Sequence, residues 1–350
     1  MINEYGYEYD AVLNEEIWKN NKGKVTDQKM MGAHCLRSGR DTLKAIAREY
    51  KESVALLPAL ACDSMVHPFE LYGHKVQYYK LNEDYSIDLD SIEIGDGVHL
   101  FLYADYFGRP AISDESLEKL REQGDIIFIE DRTHNLIWDR LYSFQPDYII
   151  ASLRKWLPIP DGGFLWGKIT KSLGNDTFFS TKRLKAQCMR HEFLCCGDEK
   201  IKNEYRKIFS TVSTLIDDDE PSAMSAYAYA LAKNTDWDKV RSIRRDNAEA
   251  LSYILSTSPY IRLIQKETGM SDLYVPFTVQ NRDEVQRRLS AEGVFNTIIW
   301  PLMDEQKSVC SVAKFTEENM LAAPCDQRYS KEDMKTIGNE IVRVVEDVNR

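Results

Sequence analysis

The chain has 350 residues, of which 43% are hydrophobic and 29% charged, with a formal net charge of −11. That composition fills a sizeable core, excludes a disordered chain, and argues against nucleic acid as a main partner, because phosphate binding needs a basic footprint. No apolar run approaches the ~18 residues of a membrane span, and the acidic start MINEYGYEYDAVLNEE is no signal peptide, so a cytoplasmic protein with no membrane partner is expected.

Residues 1–30 lack a clear period and read as an arm with a short helix, lying on a partner subunit. In MGAHCLRSGRDTLKAIAREYKE, Leu43, Ile46, Ala47 and Tyr50 recur at helical spacing. Ser38 and Gly39 precede this helix, Asp41 sits in its first turn, and Arg40 adds a positive charge. Free amides and the dipole make such a start favourable to a phosphate. Ser38 serves equally well as a plain N-cap, and Arg40 as a solvated side chain. A strand over 54–57 ends at Pro58; a helix over 64–72 ends at Gly73. Strands over 75–81 and 98–104 follow, the second leading into DYFGRP, and then a helix over 113–123. This alternation predicts a mostly parallel, doubly wound sheet.

The stretch from Ile126 to Gly163 is the most informative. A strand over 126–129 stops on Glu130 and Asp131. A second, over 148–153, delivers Lys155, with Ser152 three residues before it and Gly162-Gly163 after it. In open α/β sheets ligands sit outside the carboxyl ends of the strands, so a carboxylate and an amine reach the same rim. Pyridoxal phosphate (PLP) chemistry needs that pair: a lysine holds the aldehyde as a Schiff base, and an aspartate pairs with the protonated ring nitrogen. Either residue alone is an ordinary solvated rim charge; the combination is more specific.

A short strand over 164–166 leads into a helical region, 168–235, in which KRLKAQCMRHEFLCC and EYRKIFSTVSTLI form two helices. The run IDDDEPS has no ligand spacing and reads as a surface loop, so no metal is expected. A helix over 236–255, strands over 261–264 and 273–279, a helix over 282–292, a strand over 296–300 and a helix over 331–348 make a smaller α+β carboxy-terminal domain. The expected organisation is an arm (1–30), a large domain (31–236) and a small one (237–350). Seven scattered cysteines without paired spacing read as reduced thiols.

The order of these motifs resembles the fold type I PLP enzymes, and more narrowly the DegT/DnrJ/StrS group of nucleotide-sugar aminotransferases, over most of residues 36–335. SGRDTL stands where that group's small-residue–Gly turn takes the phosphate, and Pro58 and Gly73 keep its spacing. EDRTH matches EDxxQ, with Asp131 on the pyridine nitrogen and His134 where the group has Gln. Ser152 has the offset from lysine seen in aspartate aminotransferases, and Asp161-Gly162-Gly163 matches the acidic–Gly–Gly element. GVFNTIIWPL resembles the segment that closes over substrate, and APCDQRYSKEDM the final strand-to-helix turn. Two elements depart. The ring-stacking aromatic aligns with Cys62, a small side chain, so His67 or another residue is free to stack instead. The Asn-x-Arg-Met stretch serving the partner's site is replaced by DEPSAM.

The resemblance implies a homodimeric PLP-dependent aminotransferase. An amino acid, glutamate by expectation, is the donor, and a nucleotide-linked keto-sugar of polysaccharide biosynthesis is the acceptor. It assigns Lys155 and Asp131 to catalysis, and Ser38, Gly39, Arg40, Cys62, His134 and Ser152 to the cofactor. Trp300 faces the substrate or packs the domain seam. The alternatives are another fold type I reaction (desulfuration with Cys310 of SVCSVAK as a loop thiol, dehydration or decarboxylation) and a non-catalytic PLP-binding homologue.

Overall fold

The computed structural model describes residues 4–11, 17, 32–137, 143–264 and 272–350. Most of the arm expected over 1–30 lies outside the described residues. What is described of it packs on its own chain: β1 (Tyr5–Gly6) pairs in parallel with β11 (Val294–Phe295).

The main sheet has seven strands. They are β2 (His34–Leu36), β3 (Val54–Pro58), β4 (Lys75–Tyr79), β5 (His99–Ala104), β6 (Ile126–Asp131), β7 (Tyr148–Ser152) and β8 (Gly163–Trp166), in the order β2-β8-β7-β6-β5-β3-β4. Neighbours from β4 to β7 are parallel; β8 runs antiparallel to both β7 and β2. The central β5 is buried along its whole length. Its Leu100 and Leu102 face one hydrophobic cluster with Leu43 and Ile46 of α1 (Gly39–Ala47), while Phe101 and Tyr103 face another with Phe128 and Phe144. A strand covered on both faces reads as a continuous apolar run, which is why it was visible in the sequence.

The helices between these strands are α2 (Asp63–Leu71) and α3 (Asp114–Arg121), the latter capped by Ser113 and carrying acids in its first turn and bases in its last. After β8 come α4 (Phe178–Cys196), α5 (Glu199–Val212), α6 (Ala226–Lys233) and α7 (Trp237–Leu255). A second, antiparallel sheet follows with the order β12-β13-β10-β9, formed by β9 (Arg262–Leu263), β10 (Tyr274–Thr278), β12 (Thr297–Ile298) and β13 (Met320–Pro324). Around it lie α8 (Arg282–Ala291), α9 (Asp304–Val309), α10 (Ser311–Asn319) and α11 (Lys331–Asn349).

The sequence reading missed β1, β2, β11, β13, α9 and α10. Strands of two or three residues carry no period, and β13 (MLAAP) is fully buried without alternation. One consequence corrects an expectation. Cys310 is not in a loop but buried between α9 and α10. Its Sγ accepts from the amides of Leu81 and Ala313, each at 3.4 Å, and donates to the Leu81 carbonyl at 3.7 Å. A buried thiol so engaged is a packing and capping group, which removes the candidate desulfurase nucleophile.

Candidate active site

Strand register brings the expected residues together. Asp131 ends β6, flanked in register by Ala104 and Ile150. Ser152 ends β7, and a single 3₁₀ turn, Leu153–Lys155, swings the lysine over the same rim. One pocket is lined by Gly39, Arg40, Cys62, Asp131, Thr133, Ser152, Arg154 and Lys155. Gly39 is required there: a Cβ on it would stand 3.1 Å from the Ser152 Cβ, so the start of α1 closes directly onto the end of β7. Gly163 is required more strictly, since its Cβ would lie 2.5 Å from the Ser38 carbonyl carbon and oxygen.

Asp131 accepts a hydrogen bond from the Thr133 amide at 2.8 Å, and no described cation is in contact with it. Burial pushes its carboxyl above the usual range, against the opposing pull of Thr133 and of the Lys155 charge. A carboxylate left in that state is completed by a cationic partner at the rim. His134 is the reverse case. Burial, then the Lys155 charge, drives its imidazole down to about 3. The Phe107 amide donates to its Nδ1 at 3.2 Å, which is the contact of a neutral ring. Neutral His134 thus stands where the resembling group carries an uncharged Gln.

Trp300 reaches this rim from the second sheet. Its indole centre lies 5.7 Å from the Lys155 Nζ and 6.4 Å from the His134 ring. Its Nε1 donates to the Leu60 carbonyl at 3.2 Å, which also accepts from the Tyr106 hydroxyl at 2.7 Å. Gln306 donates to the carbonyls on either side, Ala59 at 3.1 Å and Ala61 at 2.8 Å. Three successive carbonyls after β3 are held this way, which places Cys62 on the pocket wall. The Cys62 Sγ lies 3.1 Å from the Ser64 Oγ. His67 is turned away, 3.1 Å from Asp218 at the surface, and does not line the pocket. Arg40 lines the pocket, but its guanidinium is engaged by Asp217 and by the Ser213 carbonyl at 3.0 Å. The Ser38 hydroxyl caps α1, accepting from the Asp41 amide at 3.0 Å and donating to Asp41 Oδ2 at 3.1 Å. What α1 offers a ligand is therefore its first amides, which have no intrahelical acceptor.

Sequence reasoning missed the residues that stiffen the rim. The Thr133 Oγ1 accepts from the Ser152 amide at 3.0 Å, and the Thr133 carbonyl from Trp156 Nε1 at 2.7 Å. The carbonyl of fully buried Trp156, next to the lysine, accepts from Gln327 at 2.7 Å, Tyr9 at 3.2 Å and Arg244 at 3.3 Å. The signal for Trp156 was present: a tryptophan inside an active-site motif has to be buried somewhere. Tyr9, Arg244 and Gln327 gave none, because they are brought there by separate elements. The DEPSAM segment runs along the sheet edge, where Arg37 binds Asp219 at 3.4 Å and the Glu220 carbonyl at 3.2 Å. The Asp161 carboxylate accepts from the amide and hydroxyl of Ser225 at 2.7 and 2.6 Å, so it ties β8 to α6.

These residues fit PLP. Asp131 is a part-buried carboxylate with no described cation in contact, Lys155 donates no hydrogen bond to a described residue, and the start of α1 brings its first amides to the same pocket. No family model matches the chain, and no curated protein matches it. Solved structures do. A DegT DnrJ EryC1 StrS aminotransferase from Brucella abortus superposes with a TM-score of 0.62 at 14% identity, covering 92% of this chain and 89% of that one. The fold is fold type I of the PLP-dependent enzymes. Spr1654 from Streptococcus pneumoniae, a proposed sugar aminotransferase solved in its PMP form, gives 0.68 at 14% identity, with 99% of each chain covered. DesI, solved in the presence of its TDP-sugar product, gives 0.65 at 16% identity, covering 93% of this chain and 86% of that one. At these identities the likeness is one of fold. Among the described residues no helix is long and apolar enough to cross a membrane, and no group of metal-ligating side chains is present.

Proposed function

We propose that this chain is a PLP-dependent aminotransferase that moves an amino group from an amino acid, glutamate first, to a keto-sugar carried on a nucleotide. The observation that carries the reading is the placement of Lys155 and Asp131 at the ends of adjoining parallel strands, in one pocket with the start of α1. The structural neighbours support the substrate class: one is a proposed sugar aminotransferase and another was solved in the presence of its TDP-sugar product. When bound, PLP supplies an electron sink for the carbon that loses its proton.

The residues divide that work. Asp131, part-buried and with no described cation in contact, would pair with the protonated ring nitrogen. Lys155 would hold the cofactor's aldehyde, and its amine, when free, would take up and return the proton at the substrate carbon. Neutral His134 offers a hydrogen-bonding ring beside Lys155 without adding charge. Cys62 lies on the pocket wall and would border the cofactor, and Trp300 lies over the lysine from the second sheet and would help to exclude water. The site belongs to a homodimer in this reading, in a cytoplasmic route to polysaccharide. The large domain (31–236) carries the cofactor and the small one (237–350) brings Trp300. The test is a half-reaction screen: the holoprotein is mixed with each amino acid in turn. Conversion of the visible PLP absorption to that of pyridoxamine phosphate with one or two donors is expected; conversion with none would sink the assignment.

A further inference from the structure

Arg154 stands between Ser152 and Lys155 and lines the pocket of Gly39, Asp131 and Lys155 as well as the neighbouring one toward Glu8 and Arg328. It is part-buried, and its Nε is buried without an acceptor. No described residue hydrogen-bonds or ion-pairs with it; its guanidinium rests only on the Phe179 ring, 5.5 Å from the centroid. The other arginines around it are engaged. Arg40 is held by Asp217 and the Ser213 carbonyl, and Arg183 binds Glu8 at 2.6 Å. Glu8 and Asp161 are the carboxylates that favour its charge, yet Glu8 is bound to Arg183 and Asp161 to Ser225. Burial, then the Arg183 charge, lowers the Arg154 guanidinium to about 10. An arginine whose Nε is buried with no acceptor is costly unless an anion completes it.

We propose that Arg154 is the phosphate-binding cation of this chain, gripping the cofactor's phosphate together with the first amides of α1 and the Ser152 hydroxyl. This rests on the PLP reading above. The geometry supports a phosphate rather than a substrate carboxylate. A Cβ on Gly39 would stand 3.1 Å from the Ser152 Cβ, so the first amides of α1, Ser152 and the turn carrying Arg154 lie close together on one pocket wall. A dianion there meets two unpaired kinds of donor at once, and a planar guanidinium matches phosphate oxygens in pairs. The cation that sequence inspection favours, Arg40, already has its carboxylate.

The experiment titrates apoprotein with PLP and, separately, with pyridoxal, following absorbance and fluorescence, and measures the melting shift with inorganic phosphate. Arg154→Gln is compared with wild type, and Arg154→Lys guards against a folding defect. Charge-assisted hydrogen bonds of this kind correspond to about 10- to 100-fold in affinity. The expected result is a PLP Kd raised by about that factor in Arg154→Gln and less in Arg154→Lys. Pyridoxal binding should be unchanged, and the phosphate-induced melting shift lost. Wild-type PLP affinity and a wild-type phosphate shift in Arg154→Gln would overturn the assignment while leaving the aminotransferase reading intact. So would a rise confined to the donor or acceptor KM. Wild-type apoprotein that binds no PLP would overturn both.

Discussion

The Lys155 ammonium lies 5.7 Å from the centre of the Trp300 indole. The two residues belong to different sheets, one on the 3₁₀ turn after β7 and the other just after β12. The contact falls within the range of cation–π attraction. It sets the indole over the amine that both half-reactions would share in the proposed reaction. Trp300→Ala is therefore expected to slow both half-reactions by about 10-fold, within the ~0.5–2 kcal/mol of such contacts. Trp300→Phe keeps a ring and loses the Nε1 bond to Leu60, a cost of about 1 kcal/mol in stability. Unchanged rates with both partners, alongside a lowered melting point in the alanine variant, would leave Trp300 as seam packing alone.

Lys155 is expected to carry the cofactor. Borohydride treatment of the holoprotein followed by peptide mapping should place the label on the peptide containing Ser152 and Lys155. Lys155→Ala should lose the label. A label on another lysine would displace Lys155 from its role.

Asp131→Asn should retain PLP while losing turnover. The donors at the phosphate end are untouched, so the Kd should change only a few-fold. The ring nitrogen, however, loses its counter-charge. By analogy with the removal of a single preorganised donor, a loss of about 10²- to 10³-fold in kcat is expected. Single-turnover rates with glutamate measure this; a wild-type rate would remove Asp131 from the mechanism.

His134 gives a pH signature to apoprotein stability. Its folded value, about 3, lies below the ordinary 6.5. The unfolded chain therefore binds a proton that the folded one does not, between those two values. The stability contribution is whole above about pH 6.5 and is lost as pH falls toward 3, at no more than about 1.4 kcal/mol per pH unit. Urea midpoints of wild type and His134→Gln at pH 7 and pH 5 test it: the variant should lose less. Parallel pH profiles would show that His134 is protonated in the folded protein at ordinary acidity.

Gly163→Ala should damage the fold at the phosphate end. The new Cβ meets the Ser38 carbonyl at 2.5 Å, and backbone cannot rotate aside as a side chain can. Overpacking of this kind costs about 1–3 kcal/mol. A lowered melting point with weakened PLP binding is expected. Gly95→Ala, where nothing lies within 4 Å, is the neutral control. Equal behaviour of the two variants would show that the Ser38 turn yields easily.

By itself the sequence determined the large sheet's middle and the two residues that define its rim. Buried parallel strands are long apolar runs, so Asp131 was legible at the end of β6 and Lys155 just past the end of β7. Gly39 and Gly163 were legible from their motifs, the Ser–Gly helix start and the diglycine, but the close approach of the Ser38 backbone to Gly163 was not. Tertiary structure alone decided which charges were left over. Arg40 and Arg154 look alike in the sequence. The loop carrying Ser213 and Asp217 packs against the first, whereas the second is left beside Phe179. It also decided that Cys310 is buried beneath Leu81, that β1 pairs with β11, and that Gln327, Tyr9 and Arg244 meet at the Trp156 carbonyl. Those pairings join residues up to hundreds of positions apart. No local spacing encodes such a contact, because its partner is chosen by how separate elements pack.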